Sequence, residues 1–518
     1  MSGDIQILIA MGLYMVVIVG IGLHYAKRAS ESSKNYLIGG RAMNPWVVAM
    51  GAEASDMSGW LLMGLPGVAY FFGLADAAWT AIGLAIGTYL NWLLVAKRLR
   101  RYSYVAGDAI TIPDFFSNRF KEDKKIIMTI AALFILIFFT VYAASCFVTV
   151  GKLFSTLFSI EYMYMMIAGA LFVLFYTFIG GFLAESASDF MQGCVMIFAL
   201  TAVLIAGVSA AGGISAIIEN VKAIPGFFDF FGIAQPTLVN GVQQVEAGQP
   251  LFGPAGAYGF LTIISTLSWG LGYFGMPHVL LKFMSIKKIN DLTLSRRIAV
   301  VWVIISLTAA VALGIIGRVL YPAQLLTQSA AESIFILMST NFFVPLIAGI
   351  VMAGILAATI SSSDSYLLIA ASAFSKNLYQ GIMKKDASDK AILIASKVTL
   401  VIIALIAMII ALDENSVIFK VVSFAWAGFG ATFGPIMLFS LFWKRVTRSG
   451  VIAGMLSGGG MVFIWNLLIK PLGGVFGIYE LLPAFLTSCL FIVVISLLSK
   501  EPSQEIQDEF DFVEASNK

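Results

Sequence analysis

The chain has 518 residues, of which 59% are hydrophobic and only 12% are charged, and its formal net charge is +3. Soluble domains carry about 25% charged residues, so this chain has too little polar surface for a water-soluble particle of its size. We exclude a soluble globular, disordered or fibrous protein, and the small net charge gives no reason to expect a nucleic-acid partner. The composition predicts a polytopic protein of the lipid bilayer.

The first predicted element is an apolar helix over residues 5–25. Asp4 precedes the apolar run, whereas Lys27 and Arg28 follow it. This order is the reverse of a cleaved signal peptide, whose positive charges come first. Positive charges collect on the cytoplasmic side of membrane spans. We therefore expect an uncleaved first span with its N-terminus outside the cell membrane.

Thirteen segments are long and apolar enough to cross a bilayer, which takes about 20 residues, and we number them span 1 to span 13. They cover residues 5–25, 44–72, 75–96, 126–150, 161–183, 189–211, 257–281, 298–320, 343–374, 391–412, 416–442, 450–469 and 480–498. With the N-terminus outside, most of the 32 Lys and Arg residues lie at inner ends or in inner loops, five of them before span 8. The exceptions are Lys152, Lys222, Arg318, Lys420 and Lys470. The positive-inside rule supports this orientation, and the odd number of spans places the C-terminus in the cytoplasm.

Spans 2 and 7 depart from ordinary membrane helices in similar ways. Span 2 contains Gly59, Gly64, Pro66 and Gly67, and span 7 contains the run SWGLGYFGMP over residues 268–277. Unwound backbone is tolerated in a membrane only where it lines a cavity or is buried in protein, and matching breaks in two repeats indicate a transport site. Glycine also serves close helix packing, so the glycines alone leave that alternative open.

The distance between the two unusual spans predicts the domain organisation. Spans 2 and 7 are five spans apart, so spans 2–6 and 7–11 are predicted to be two five-helix repeats, inverted because five is odd. Residues 212–256 contain no span and mix Gly with Pro, which is typical of an outer loop. The predicted units are a first helix with an inner loop (1–43), the first repeat (44–211), the extracellular loop (212–256), the second repeat (257–442), two C-terminal helices (443–499) and a cytoplasmic tail (500–518).

Three acids lie at membrane depth. Asp56 is in span 2, Asp189 begins span 6, and Asp364 interrupts span 9 within the run SSSDS over residues 361–365. An intramembrane carboxylate costs roughly 2.5–3.5 kcal/mol on insertion scales and marks a functional site by default. Carboxylate, hydroxyl and freed carbonyl oxygens suit a small hard cation. No His or Cys accompanies these residues, which argues against a transition metal.

Four separate stretches resemble the sodium/solute symporter family, and within it the bacterial proline carriers. They are AEASDMSGWLLMGLPG (52–67), YTFIGGFLA (176–184), WGLGYFG (269–275) and AWAGFGATFGP (425–435). The resemblance runs in order from about residue 4 to about residue 500. It implies an all-α polytopic membrane protein with 13 transmembrane helices and the leucine-transporter-type fold of two inverted five-helix repeats. It also implies sodium-coupled import of proline or a similar small solute by alternating access.

The resemblance implies a sodium site at five positions. The ligands would be the backbone carbonyls of Ala54, Met57 and Ala358 and the hydroxyls of Ser361 and Ser362. An unwound segment frees carbonyls, and two adjacent hydroxyls on a facing helix complete an all-oxygen shell.

Three further positions match those that the family needs for sodium coupling, namely Asp56, Ser58 and Gly59. We interpret Asp56 as a negative charge that supports the cation and leave its role as a direct ligand open.

The substrate pocket implied by the resemblance is aromatic. It comprises Tyr142 in span 4 and Trp269, Tyr273, Met276 and Pro277 in span 7. Aromatic faces suit a rigid apolar ring, and their O–H and N–H groups orient the ends of a zwitterion. Met276 stands where proline carriers usually have Gln. A sodium symporter for another small amino acid or a monocarboxylate is therefore the alternative.

A second cation or proton site is a further hypothesis. Some relatives bind an additional sodium between an Asp near the start of span 6 and hydroxyls on span 9, positions that correspond here to Asp189, Ser361, Asp364 and Ser365. Two carboxylates facing one small space repel unless a cation lies between them. The alternative is that Asp364 caps a helix end or faces inner water. Glu185 is a candidate for the same vestibule wall.

Other functional classes find little support. An intramembrane aspartyl protease needs a Gly-x-Gly-Asp setting, which is absent, and His24 and His278 are the only histidines for an acyltransferase. We interpret His278 as a packed or interfacial residue. An ion channel would show a repeated filter, and the short tail holds no signalling domain, although a transporter-like membrane sensor stays open. The sequence predicts a transporter rather than an enzyme, with sodium as its coupling ion and no obligate protein partner.

Overall fold

The computed structural model describes residues 3–29, 31–32, 35–36 and 41–516, and it is almost entirely helical. Part of the predicted inner loop before span 2 (residues 30, 33–34 and 37–40) and both chain ends (1–2 and 517–518) lie outside the described residues. The α-helices cover Gly3–Ala29, Pro45–Asp56, Leu65–Phe72, Leu74–Leu90, Ala96–Val105, Ile112–Arg119, Ile126–Phe158, Tyr162–Ala210, Ile214–Lys222, Phe260–Leu267, Pro277–Ser285, Leu292–Leu320, Gln328–Ala331, Ile334–Phe342, Pro345–Ser372, Asp389–Ile410, Ile418–Phe442, Arg448–Ile464, Leu481–Leu498 and Gln504–Ala515. Segments of 3₁₀- or π-helix cover Trp60–Gly64, Asn91–Val95, Ser268–Gly275, Ile289–Asp291, Ala373–Met383, Trp465–Ile469, Lys470–Leu472 and Gly474–Phe476.

Eleven helices in the described part of the chain are long and apolar enough to cross a membrane. Two shorter apolar helices, Trp60–Phe72 and Phe260–Gly275, lie where spans 2 and 7 were predicted. The prediction of an all-α polytopic membrane protein is therefore confirmed. The count of thirteen spans and the inverted repeats stay predictions, because the two interrupted spans do not qualify by length.

Span 2 is broken beside its carboxylate. Its first helix starts at Pro45, where the side chain of Asn44 accepts a hydrogen bond from the Val47 N–H, and it ends at Asp56. Met57 leaves the helical conformation with ψ +14°, and the chain resumes as the π-turn Trp60–Gly64. The last carbonyls of a helix have no partner within it. The break therefore presents backbone oxygens in the interior of the bundle.

Span 7 is broken by a proline. Its 3₁₀ segment Ser268–Gly275 leads to Met276, which is extended (ψ +107°), and Pro277 is the first residue of the next helix. Proline disfavours the helical region for the residue before it and fits the first turn of the helix that follows. The sequence therefore places the second break at Met276.

Spans 5 and 6 are two helices that meet at a sharp kink, Tyr162–Ile179 and Gly181–Ala210, where the sequence predicted spans at 161–183 and 189–211. The boundary between them lies at Gly181, whose φ is +58°. A side chain there would meet the ring of Tyr36 at 2.6 Å. Glycine is the residue that adopts this conformation at little cost, so the connection needs no loop.

The helix of span 9, Pro345–Ser372, is the centre of the bundle, and the helices of spans 1, 4, 5 and 6 pack around it. Nearly all of its residues from Val351 to Ser372 are buried, including the SSSDS run. A helix that is buried on all sides has no lipid-facing stripe. Its polar residues therefore face protein.

The predicted extracellular loop 212–256 contains the short helix Ile214–Lys222 and small antiparallel ladders. The paired strands are Gly232–Ile233 with Gly256–Ala257, Leu238–Val239 with Val242–Gln243, and Val245–Glu246 with Gln249–Pro250. Trp79 of span 3 donates its indole N–H to the Phe230 carbonyl at 2.8 Å, which fixes the segment to the bundle. This organisation was not visible in its Gly- and Pro-rich sequence.

The predicted tail is largely a docked amphipathic helix, Gln504–Ala515. Phe510 is buried, with the guanidinium groups of Arg98 and Arg119 at 5.1 and 5.6 Å from its ring. Lys121 lies 2.7 Å from Glu509, and this hydrogen bond raises the pKa of the Lys121 ammonium. The acidic helix is therefore held on a basic surface by one aromatic anchor and by ion pairs.

Replacing Phe510 with Ala tests this anchor. We expect Phe510→Ala to weaken docking by about 3 kcal/mol, the usual cost of removing a buried aromatic ring, and to speed hydrogen exchange throughout residues 504–515. Phe512 is the matched control, because its side chain is 60% exposed and Phe512→Ala removes little buried area. Equal exchange in the two variants would contradict the docked arrangement.

Candidate functional site

The break in span 2 is fixed against span 9 by a tyrosine. The Tyr366 hydroxyl donates to the Ser55 carbonyl at 3.0 Å, and its ring stacks on Tyr142 of span 4 with centroids 4.2 Å apart. Tyr366 lies four residues after Ser362, so both occupy one face of the span 9 helix. Tyr366 was not predicted as a site residue, although its position directly after the run SSSDS and one turn beyond Ser362 was a usable signal.

Asp56 joins the break in span 2 to the break in span 7. Its Oδ2 accepts a hydrogen bond from the Tyr273 hydroxyl at 2.7 Å, and its Oδ1 lies 3.2 Å from His278 Nε2. All three side chains are buried. The interpretation of His278 as a packed or interfacial residue missed this contact with the coupling acid, because the sequence did not show which face of the helix it occupies.

The five predicted sodium ligands, Ala54, Met57, Ala358, Ser361 and Ser362, are all buried. Within the described residues the Ser362 Oγ has no hydrogen-bond partner, and such a buried hydroxyl fits a missing ligand. The Met57 carbonyl accepts only a long bond, 3.3 Å from the Leu61 N–H. The Ser361 hydroxyl donates to Asp189 Oδ1 at 2.8 Å, which leaves its lone pairs available for a cation.

Ser58 and Gly59 have local structural roles beside the break. The Ser58 Oγ accepts a hydrogen bond from the Trp60 N–H at 3.2 Å. A Cβ on Gly59 would lie 2.3 Å from the Thr149 methyl carbon of span 4. Gly59 therefore lets span 4 approach the broken segment closely.

The residues of the predicted substrate pocket lie in two different environments, and Trp269 is in the first of them. This indole packs against Trp60, Phe419 and Tyr479, with ring centroids 5.6, 5.3 and 5.0 Å away. The rings of Trp269, Phe419 and Tyr479 line a cavity of about 350 Å³. Four other predicted residues are buried and do not line this cavity, namely Tyr142, Tyr273, Met276 and Pro277. Of the predicted substrate residues, Trp269 therefore lines the cavity, whereas Tyr273 contacts Asp56.

The span 7 glycines also serve close packing, the alternative that the sequence left open. A Cβ on Gly270 would lie 2.2 Å from the Gly83 carbonyl oxygen of span 3, and one on Gly272 would lie 2.0 Å from the indole nitrogen of Trp426. The same segment is unwound at Met276. This segment of span 7 therefore both interrupts the helix and packs closely against its neighbours.

A buried lysine lies at the hypothetical second cation site. Lys282 Nζ is 2.8 Å from Glu185 Oε1, 2.8 Å from Asp189 Oδ2 and 3.2 Å from Ser186 Oγ. The count of inner basic residues before span 8 included Lys282, but its side chain is only 2% exposed. It lies inside the bundle, on the second half of span 7.

The remaining residues of that hypothetical site are engaged to different degrees. The Ser365 hydroxyl donates to Glu185 Oε1 at 2.5 Å, which places the buried Glu185 in this cluster. Asp364 Oδ1 accepts from the Ser365 N–H at 2.8 Å, and its Oδ2 has no partner among the described residues. Asp364 is buried and lies in the middle of its helix. This position fits neither a residue that caps a helix end nor one that faces inner water.

A second buried ion pair involves Lys152 and Glu332. Lys152 Nζ of span 4 lies 2.9 Å from Glu332 Oε2. Glu332 also accepts the backbone N–H groups of Ile418 and Phe419 at 3.0 and 2.9 Å, at the start of span 11. A carboxylate at a helix N-terminus is favourable. The pair therefore links span 4 to span 11 at the Trp269 cavity, which Glu332 also lines.

Interrupted spans that face one another around buried polar groups define the class of the protein, a secondary membrane transporter. A family model described as "Sodium:solute symporter family" matches residues 36–458. The chain belongs to the sodium:solute symporter family. It is a multi-pass membrane protein and a sodium-coupled transporter.

Proteins of similar sequence match this chain over almost its whole length. A "Sodium/proline symporter" of Staphylococcus aureus strain USA300 / TCH1516 is 39% identical over 514 residues, covering 98% of this chain and 96% of that protein. The protein of the same description from strain JH9 has the same identity and coverage.

Solved structures share the fold. An Na⁺-coupled sialic acid symporter in a substrate-bound outward-open state has a TM-score of 0.76 at 17% identity, covering 96% of this chain and 99% of that one. MhsT in complex with L-phenylalanine has a TM-score of 0.50 at 14% identity, covering 87% and 97%. These likenesses show the leucine-transporter-type fold that the sequence motifs predicted.

Proposed function

We propose that the protein is a symporter of the cell membrane that imports L-proline together with sodium by alternating access, with its N-terminus outside and its C-terminus in the cytoplasm. One observation carries this proposal. The broken part of span 2 is bonded on one side to span 7, through Asp56 and Tyr273, and on the other to span 9, through Ser55 and Tyr366. A cation that orders this segment therefore also orders the side chains of the adjacent pocket.

Coupling follows from this shared segment. Sodium is a co-substrate that would bind the carbonyls of Ala54, Met57 and Ala358 and the hydroxyls of Ser361 and Ser362, and proline would then bind beside Tyr273 and Tyr142. A tenfold sodium gradient supplies about 1.4 kcal/mol, and a potential of 100 mV about 2.3 kcal/mol per charge. Their sum allows about 500-fold accumulation of a neutral solute with one sodium.

The identity of the solute rests on the relatives and on the pocket chemistry. The two Staphylococcus aureus relatives are described as sodium/proline symporters, and aromatic rings suit the apolar face of proline. Met276 is buried in the place of the Gln that proline carriers usually have, which keeps another small amino acid or a monocarboxylate as the second candidate.

Uptake into proteoliposomes tests the proposed substrate. The purified protein is given labelled proline, other small amino acids and monocarboxylates, with and without an inward sodium gradient. We expect proline to accumulate only with the gradient. Sodium-independent proline uptake, or strong uptake of another solute beside none of proline, would overturn the assignment.

Two adjacent serines provide a test of the sodium site. The Ser362 Oγ has no hydrogen-bond partner among the described residues, whereas the Ser363 Oγ donates to the Thr359 carbonyl of its own helix at 2.5 Å. We expect Ser362→Ala to raise the sodium concentration for half-maximal uptake about tenfold, because one oxygen ligand is lost. Ser363→Ala should leave it unchanged. Equal shifts in the two variants would remove Ser362 from the site.

A further inference from the structure

The Lys282 ammonium is fully coordinated inside the bundle. An ammonium has three N–H donors, and three oxygens surround this one, from Glu185, Ser186 and Asp189. The Phe182 ring covers the remaining side, with its centroid 4.7 Å from Nζ. A charged group this deeply buried is stable only where it is paired and hydrogen-bonded.

The oxygens around Lys282 are those that a second alkali cation would need. Asp189 supplies one oxygen to Lys282 and the other to the Ser361 hydroxyl. Glu185 Oε1 accepts from both Lys282 and Ser365. A second sodium between Asp189 and the span 9 hydroxyls would lie beside this ammonium. Two positive charges at such a distance repel strongly in a buried site.

Span 2 is shaped around the same ammonium. A Cβ on Gly51 would lie 3.2 Å from Lys282 Nζ and 3.3 Å from Asp189 Oδ2. Gly51 is five residues before Asp56 on the same helix. The Lys282 cluster therefore touches span 2 as well as spans 6, 7 and 9, and spans 2, 7 and 9 carry proposed sodium or substrate residues.

We propose that Lys282 is a tethered cation that takes the place of a second sodium ion and so sets the transporter to one sodium per solute. This inference deepens the proposed function and rests on it. The Lys282 ammonium bonds to Glu185, Ser186 and Asp189 rather than to the proposed proline residues or the five proposed sodium ligands, and it acts through Asp189, which orients the Ser361 hydroxyl. It is a positioning residue that determines the ion stoichiometry.

The accumulation limit distinguishes this role from a purely structural ion pair. Proteoliposomes are held at zero membrane potential with a tenfold sodium gradient, and the steady accumulation of labelled proline is measured. One sodium per proline gives about tenfold accumulation and two give about a hundredfold. We expect about tenfold for the wild type and Lys282→Arg, which keep the charge, and about a hundredfold for Lys282→Gln. Accumulation near tenfold in Lys282→Gln overturns the proposal.

Lys152 provides a matched control, because it is also a buried lysine paired with a carboxylate, Glu332, at 2.9 Å. Lys152→Gln removes a charge of the same kind far from the Asp189 cluster. We expect its accumulation limit to stay near tenfold. A rise equal to that of Lys282→Gln would show a general effect of lost buried charge and would overturn the proposal.

If Lys282→Gln does not transport proline, binding of ²²Na⁺ to the purified protein tests the inference instead. We expect one bound sodium ion per wild-type chain and two per Lys282→Gln chain. If the variant is monodisperse and binds one sodium ion or none, the inference is contradicted. If the variant is not monodisperse, sodium but not choline should restore its folded yield, and failure of that rescue also contradicts it. Absence of sodium-driven uptake in the wild type would instead refute the proposed function.

Discussion

Sodium-driven uptake should fall about 100-fold at subsaturating sodium in Asp56→Asn. The buried carboxylate of Asp56 accepts the Tyr273 hydroxyl at 2.7 Å and lies 3.2 Å from His278 Nε2. Hydrogen bonds to a charged group are worth about 1.5–3 kcal/mol each. Asparagine removes the negative charge next to the proposed cation and weakens the connection between spans 2 and 7. Initial rates of proline uptake measured against sodium concentration test this expectation.

Glu53 is the matched control for Asp56. It lies one turn earlier on the same helix, it is also buried, and its Oε1 accepts from the Trp92 indole at 3.1 Å. No contact joins it to Tyr273 or His278 among the described hydrogen bonds. We expect Glu53→Gln to keep the wild-type sodium dependence. If both variants lose sodium dependence to the same extent, Asp56 has no specific coupling role.

The breaks that build the site were predictable from local chemistry. Pro277 disfavours a helical conformation at the residue before it, so the interruption at Met276 follows from a dipeptide. Asp56 was singled out because an acid is costly at membrane depth. Both inferences depend on a residue and its chain neighbours alone, and the structure places both residues at breaks.

The partners of these residues were not predictable in the same way. Lys282 was counted with the inner basic residues because it follows the apolar run of span 7 directly, and only the fold shows that Glu185 and Asp189 surround it. His278 and Tyr366 reach span 2 across 222 and 311 positions of sequence. Such contacts depend on which helix faces meet, and a hydropathy pattern that is apolar on every face does not encode this.

The close backbone approach between spans 3 and 7 should make Gly87→Val strongly destabilising. A Cβ at Gly87 would lie 2.2 Å from the carbonyl oxygen of Gly270 and 2.4 Å from its Cα. These are backbone atoms of the 3₁₀ segment of span 7, which cannot move aside as a flexible side chain can. Overpacking typically costs 1–3 kcal/mol and sometimes more. We expect a loss of about 3 kcal/mol, seen as a lower melting temperature of the purified protein and less monodisperse material.

Gly12→Val is the control that separates this clash from the general effect of valine in a membrane helix. Gly12 lies in span 1, and a Cβ there would meet nothing within 4 Å. A substitution into open space usually changes stability by no more than about 0.5 kcal/mol, so Gly12→Val should melt with the wild type. If Gly87→Val melted there too, the contact between spans 3 and 7 would have to be looser than the structure describes. The Met276 break would then need another element to hold it against Asp56.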